Sequence, residues 1–367
     1  MAGPRAPLRV LVDGRGLSDA NSFRGIGAFL RHLLPRLAEL PTLDVSALAT
    51  NATELPDGVS RVRIRRWAPG RWQRLEHDLL LRREIRKVKP DVYFSPALHP
   101  PPAMDIPWVQ TIHDVIPLTY DHPVYRRGRT AWRWWSTRVV RATALVAVSE
   151  FSAREAERVL GLPPASITVA YEGVSPVPVA KLQRQPENPY VLFVGEFDPR
   201  KGHAEAFDVI SRLGRRGYPH TLKVVGRIAP WIETELRGLV ARSGEPNRIE
   251  LAGFISEEDM AAAYQGATAL LVTSRAEGFG LPAVEAMAGG TPVVAFANSA
   301  TAEVVDGGGV LVADGDVAAI TEAVAALIDD AELRKRLSEK GRNRAADFDW
   351  GRCAAIYASV FEKVALR

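Results

Sequence analysis

Residues 274–287 read Ser274-Arg275-Ala276-Glu277-Gly278-Phe279-Gly280-Leu281-Pro282-Ala283-Val284-Glu285-Ala286-Met287, directly after a short apolar run. Pro282 suits a first helical position, and Ala, Val and Met follow it at helical spacing, so the segment reads as strand, glycine loop, helix. The amides of Gly278, Phe279, Gly280 and Leu281 then lie ahead of a helix N-terminus. Amides there, with the helix dipole behind them, stabilise anionic oxygens such as those of a diphosphate. Gly278 and Gly280 let a ligand approach the backbone. Glu285, read in the first helical turn, is able to accept hydrogen bonds from a vicinal diol such as a ribose, and Glu277 from sugar hydroxyls.

Outward from this segment, short apolar runs alternate with longer stretches of helical period, the pattern of βαβ units around parallel sheets. In the first half, 8–12, 91–94, 108–112 and 144–148 read as strands, with helices at 25–40, 71–87, 126–141 and 152–160. A segment rich in Pro, Gln and charge, 176–189, reads as an interdomain linker. Beyond it, strands are expected at 190–194, 221–225, 249–251, 269–272, 292–295 and 310–312. Helices are expected at 204–215, 231–242, 257–265, 282–288, 316–328 and 331–346. The expectation is two doubly wound α/β domains, 1–182 and 183–346, whose strand ends face a central cleft, followed by a terminal segment, 347–367.

Composition narrows the function classes. The chain has 367 residues, 47% of them hydrophobic, and a single cysteine, Cys353, so neither an intrachain disulfide nor a cysteine-based metal cluster is available. Residues 1–7 do not resemble a signal peptide and no run approaches the ~20 apolar residues of a membrane span, so a cytoplasmic protein is expected. The net charge of +4 is unevenly spread: residues 1–182 carry 26 Lys+Arg against 17 Asp+Glu (+9), which leaves 21 against 26 (−5) for the rest. Gly25 and Gly27 precede a helix, but Leu30 stands where a dinucleotide fingerprint needs its third glycine, which argues against a Rossmann oxidoreductase. Asp314-Gly315-Asp316 spells a D-x-D, but its place in a strand-to-helix turn reads as a helix N-cap on Asp316 rather than a metal site.

Taken together, these segments resemble the retaining, GT-B-fold glycosyltransferases with an E-x(7)-E motif, the glycosyltransferase family 4-like or "group 1" mannosyltransferase-type enzymes. The resemblance rests on Glu277 and Glu285, on GEFDPRKG at 195–202, GFISEE at 253–258, GGTPVV at 289–294 and TAEVV at 301–305. It extends to VDGR at 12–15, GIG at 25–27, HDVIP at 113–117 and VSEFS at 148–152. It implies two Rossmann-like domains, the first for an acceptor and the second for a nucleotide sugar, with the terminal helix crossing back to the first. It also implies transfer of a hexosyl group from a donor such as GDP-mannose or UDP-glucose to an acceptor hydroxyl, with no resident cofactor and no required metal. Arg200 and Lys201 would neutralise the donor diphosphate, while Glu196 stands where many relatives carry arginine. His113 would contact the transferred sugar or position the acceptor, Gly25 and Gly27 would lie near the donor phosphate, and Arg227 and Ile255 near the base. Glu285 would hold the ribose and Glu277 the transferred sugar, with Glu277 not acting as a nucleophile. A non-transferring sugar-nucleotide enzyme of the same fold, such as an epimerase, or an inactive sugar-nucleotide-binding protein, are the competing readings.

Residues 61–90 hold eleven Arg and Lys against three acids, with Trp67 and Trp72 among them, and 124–141 adds six arginines with Trp132, Trp134 and Trp135. At helical spacing Trp132, Trp135 and Val139 share one face, whereas Trp134 groups with Arg138 and Arg141. Such a surface is compatible with peripheral docking on anionic lipid headgroups. No module for nucleic-acid binding accompanies the charge.

Overall fold

The structure is a computed structural model, and it describes residues 6–17, 25–64, 73–97, 101, 104–126, 128–175, 188–228 and 232–366. The 176–189 linker lies almost wholly outside these residues, as do Trp67 and Trp72. The chain divides into two compact units: unit 1 is Met1–Gly173 with Asp349–Arg367, and unit 2 is Val174–Phe348.

Unit 1 is built on a seven-stranded, wholly parallel sheet. Its strands are β1 (Leu8–Val12), β2 (Leu43–Ala49), β3 (Ser60–Arg63), β4 (Val92–Ser95), β5 (Trp108–Ile112), β6 (Ala144–Ala147) and β7 (Thr168–Val169), in the order β3-β2-β1-β4-β5-β6-β7. The chain runs outward from β1 to β3 and then returns to β1's other side, so the order reverses between β1 and β4. That is where an open α/β sheet forms a crevice beyond its strand ends. β4 and β5 are buried at every position, as strands covered on both faces must be. The helix Ile26–Ala38 packs one face, Phe29, Leu30, Leu33, Leu34 and Leu37, into the core.

That core is completed by the last helix, Trp350–Ala365. Asp349 caps it by accepting from the Arg352 amide at 2.8 Å, and Trp350, Cys353, Ala354, Tyr357, Phe361 and Val364 fall on its buried face. The Tyr357 hydroxyl is 2.8 Å from that of Thr111 on β5, and its ring packs 5.1 Å from Phe94 on β4. The terminal helix thus belongs to the first unit. Burial pushes the Cys353 thiol well up, which leaves it a packing residue.

Unit 2 carries a six-stranded parallel sheet of β8 (Tyr190–Val194), β9 (Thr221–Val225), β10 (Ile249–Gly253), β11 (Ala269–Val272), β12 (Val293–Phe296) and β13 (Val310–Val312). Their order is β10-β9-β8-β11-β12-β13. The reversal falls between β8 and β11, so the loops after these two strands lie side by side. Phe193 and Val224 on the sheet, Phe207 and Ile210 on His203–Arg215, and Val324 and Leu327 on Val317–Asp329 lie in one core.

Two local expectations are corrected. The span 126–141 is not one helix: Pro123–Arg126 and Arg129–Val139 are separate, with Gly128 as the N-cap of the second. In the helix after the glycine loop Leu281 comes first, so Glu285 lies beyond the first turn.

Candidate active site

In unit 2, three loops meet at the strand ends on either side of the β8/β11 reversal. The loop after β8 ends in a 3-10 turn, Pro199–Lys201, whose start is fixed because the Asp198 carboxylate accepts from the Arg200 amide at 2.9 Å. Gly202 follows at φ +72°, and a Cβ there would stand 2.1 Å from the carbonyl oxygen of Thr273. This close approach lets the Thr273 hydroxyl donate to the Gly202 carbonyl at 2.7 Å and the Arg275 amide to the Arg200 carbonyl at 2.7 Å. The loops after β8 and β11 are thereby laced together.

The lacing brings Arg200 and Lys201 onto one carboxylate. Arg200 Nη1 donates to Glu277 Oε2 at 2.8 Å and to the Ala276 carbonyl at 2.8 Å, and Lys201 Nζ donates to Glu277 Oε1 at 2.6 Å. Glu277 is 8% exposed. Burial pushes its carboxyl up, but Lys201, Arg200 and hydrogen bonds from Lys201 and Ser274 outweigh that and hold it at about 2. The loop after β12 supplies the third wall. Ser299, held at φ +46°, accepts from the Glu277 amide at 3.0 Å, and the Ala300 amide donates to the Glu277 carbonyl at 3.3 Å.

Gly280, at φ +101°, turns the chain into the helix Leu281–Gly289. The Phe279 ring is 5% exposed and meets Phe348 edge-on at 5.5 Å, so the side chain anchors the loop while its amide stays in the turn. Glu285, on the same helix, accepts from the Tyr264 hydroxyl at 2.7 Å. Arg227 follows β9 on the surface, and Ile255 lies in the loop after β10 beside Phe254, which is 61% exposed. Asp316 caps the helix Val317–Asp329 through the Ala319 amide at 2.9 Å. Asp314 accepts from Asn298 at 2.6 Å and faces Arg275 at 3.6 Å. Among the described residues no cluster of three or more His, Cys, Asp or Glu side chains is arranged to hold a metal ion.

In unit 1, His113 directly follows β5. Its Nδ1 lies 3.2 Å from Glu172 Oε1, its Nε2 3.0 Å from the Pro96 carbonyl oxygen, and its ring 5.0 Å from Phe29. Phe29 is on the helix that Gly25 and Gly27 open. A Cβ on Gly25 would meet nothing within 4 Å, so glycine there answers to φ +49° rather than to space. Asp114 accepts from the Ile116 amide at 2.9 Å and so fixes the loop behind His113.

Glu172, Tyr264 and Ser299 did not announce themselves in the sequence. Glu172 is 59 positions from His113 and Tyr264 is 21 from Glu285, and nothing local marks either pairing.

The chemistry of unit 2, two cations and a helix N-terminus around one buried carboxylate, suits an anionic donor. Residues 178–344 match the family model described as Glycosyl transferases group 1, and residues 23–177 match that of Glycosyltransferase Family 4. An MMP alpha-(1->4)-mannosyltransferase from Mycolicibacterium hassiacum is 31% identical over 283 residues, covering 72% of this chain and 67% of that protein. The chain is a group 1 glycosyltransferase. A second relative of the glycosyltransferase, an O-antigen chain mannosyltransferase B from Escherichia coli, is 28% identical over 285 residues, 73% of each chain. The fold of the glycosyltransferase is shared with sucrose-phosphate synthase from Thermosynechococcus elongatus at a TM-score of 0.78 and 20% identity, over 98% of this chain and 99% of that one. The fold is therefore of the GT-B class. Among its described residues no helix is long and apolar enough to cross a membrane.

Proposed function

We propose that the protein transfers a hexosyl group from a nucleoside-diphosphate sugar to an acceptor hydroxyl with retention at the anomeric carbon. The observation that carries this reading is the convergence of Arg200 and Lys201 on Glu277 beside the amides that open the helix Leu281–Gly289. Two fixed cations and a helix N-terminus bind a diphosphate and stabilise the charge it gains on leaving. They supply charge at the place where a divalent metal serves other transferases, so activity in excess EDTA is expected to match that without it. Glu285 accepts from the ribose hydroxyls, and Arg227 and Ile255 border the base. The mannosyltransferase relatives make GDP-mannose the first donor to try, then UDP-glucose.

Glu277 is tied at both oxygens by cations and is thereby a poor nucleophile. The acceptor oxygen instead attacks the anomeric carbon on the face from which the phosphate departs. A phosphate oxygen takes the acceptor proton, and the glycosidic bond forms as the bond to phosphate breaks. Orientation and electrostatics supply the rate. Glu277 contacts the transferred sugar, and within unit 1 Glu172 fixes the ring of His113, the residue read as contacting the sugar or positioning the acceptor.

Thermal stabilisation against a panel of nucleoside diphosphates and nucleotide sugars tests the donor. A ligand at 100 times its Kd adds ~2.7 kcal/mol. Proton NMR of the first-formed product reads the anomeric configuration. A flat response across the panel, or an inverted product, overturns the reading.

A peripheral contact with anionic lipid is supported by the helix Arg129–Val139. Trp134 is 48% exposed there, with the Arg138 guanidinium stacked 4.5 Å from its ring. Salt-sensitive flotation with phosphatidylglycerol vesicles is expected, and flotation lost in Trp134→Ser would assign it to this helix.

A further inference from the structure

The acid assigned above to the ribose is not held by its own helix alone. Tyr264, in the last turn of Glu257–Gly266, is 2% exposed, and its hydroxyl donates to Glu285 Oε2 at 2.7 Å, the length of a charge-assisted bond. The tyrosine is fixed from both sides. Its carbonyl accepts from the Thr291 hydroxyl at 2.6 Å, in the loop that follows Glu285's helix, and the preceding carbonyl, of Ala263, accepts from the Tyr190 hydroxyl at 2.8 Å, at the start of β8. Thr291 is 3% exposed, so the first of these ties is made out of water. A buried phenol, on a residue whose backbone is tied to the sheet and to the far end of Glu285's helix, thus holds the carboxylate.

We propose that Tyr264 is a positioning residue for ribose recognition, holding the Glu285 carboxylate in the orientation that accepts the 2′- and 3′-hydroxyls of a nucleoside diphosphate. The inference rests on the reading of Glu285 as the ribose acceptor. A glutamate has three rotatable bonds, and an untethered carboxylate would have to be ordered each time a diol bound. Each carboxylate oxygen has two lone-pair sites, so Oε2 is able to accept from Tyr264 and from a ribose hydroxyl at once. The phenol adds no charge. Its effect is to fix where the acceptors point before the ligand arrives.

The test uses the full chain and calorimetric Kd values for GDP and UDP, each against its 2′,3′-dideoxy counterpart. In the parent protein the preferred nucleotide is expected to bind about 100-fold more tightly than its dideoxy form, as two hydrogen bonds to a charged acceptor imply. Tyr264→Phe is expected to cut that preference about tenfold while dideoxy binding stays within about twofold. In turnover it raises the donor KM and leaves kcat near the parent value. Thr291→Val, which loosens the backbone tie without touching the phenol, is the structural control: it lowers Tm and keeps most of the preference.

Tyr264→Phe/Glu285→Ala is expected to match Glu285→Ala alone. Equal loss of ribose and dideoxy binding in Tyr264→Phe overturns the assignment of Tyr264. A full ribose preference surviving in Glu285→Ala overturns the reading of Glu285 itself, and with it this proposal.

Discussion

Replacing Glu277 by glutamine should make the protein less stable, slower, and yet a better binder of sugar-free nucleoside diphosphate. The carboxylate lies 2.8 Å from Arg200 and 2.6 Å from Lys201, with side-chain exposures of 20%, 13% and 11% for arginine, lysine and glutamate. Its pKa is held down to about 2, against an ordinary 4.5. At ~1.4 kcal/mol per unit this makes the charged form worth on the order of 3 kcal/mol to the folded state. Removing one member of a buried ion pair costs ~3–5 kcal/mol by another route, since Arg200 and Lys201 lose the carboxylate they share, and Asp198, 3.6 Å from Arg200, does not reach both. For a unit of this size ~3 kcal/mol corresponds to a fall of roughly 6–12 °C in Tm.

The sign of the affinity change is the sharper test. In the parent protein an incoming diphosphate must share or displace Glu277 on both cations, and in Glu277→Gln that competing charge is gone. GDP or UDP should bind about tenfold more tightly, the equivalent of ~1.4 kcal/mol. Transfer should slow by at least 100-fold, because the carboxylate no longer serves the sugar. Calorimetry of the nucleoside diphosphate and single-turnover kinetics read the two effects separately. Weaker diphosphate binding together with an unchanged Tm would refute the reasoning. In acid the contribution from Glu277 should be fully present above pH ~4.5 and lost as pH falls toward ~2, since the folded state holds the proton less tightly than the unfolded one.

Three further outcomes follow from particular residues. His203 is 4% exposed among Phe193, Phe197 and Phe207, and burial, helped by Lys201, lowers its pKa to about 4. The unfolded chain binds the extra proton first, so stability falls by on the order of 3 kcal/mol between pH ~6.5 and ~4, and His203→Phe should flatten that limb of a denaturant-midpoint profile. Gly202→Ala should separate the loops after β8 and β11, because its Cβ falls on the Thr273 carbonyl at a left-handed φ, and both Tm and diphosphate binding should drop together. Thr301 is 1% exposed and its hydroxyl has no hydrogen-bonding partner among the described residues, so Thr301→Val should raise stability by ~1 kcal/mol, read as a shift in the urea midpoint.

What the sequence made legible followed from how locally each signal is written. All six strands of unit 2 are short, apolar and bounded by helix caps or glycines, so periodicity reads them with ends off by a residue or two. In unit 1, β2, β3 and the two-residue β7 escaped. Leu43–Ala49 ends in an alanine-rich run with weak strand preference, and Ser60–Arg63 is a short, largely exposed edge strand. The glycine loop and the basic pair are contiguous motifs and could be named from the chain alone. Their mutual contact was not legible, because it is made by Gly202 passing against Thr273 across the sheet reversal. The same holds for Tyr264 behind Glu285 and Glu172 behind His113: each partner is an ordinary residue of its own helix or loop until the fold brings the two together.

The last helix has a consequence for how the chain is made. Because Asp349–Arg367 completes the core of unit 1, that core stays open on the ribosome until these residues emerge, whereas unit 2 is one uninterrupted segment with all its strands already synthesised. The Val174 amide donates to the Phe348 carbonyl at 3.1 Å, so the two ends of that segment close on each other like the neck of an insertion. In assembly terms unit 2 is a cassette able to mature first, and the earlier part of unit 1 must wait for the helix Trp350–Ala365.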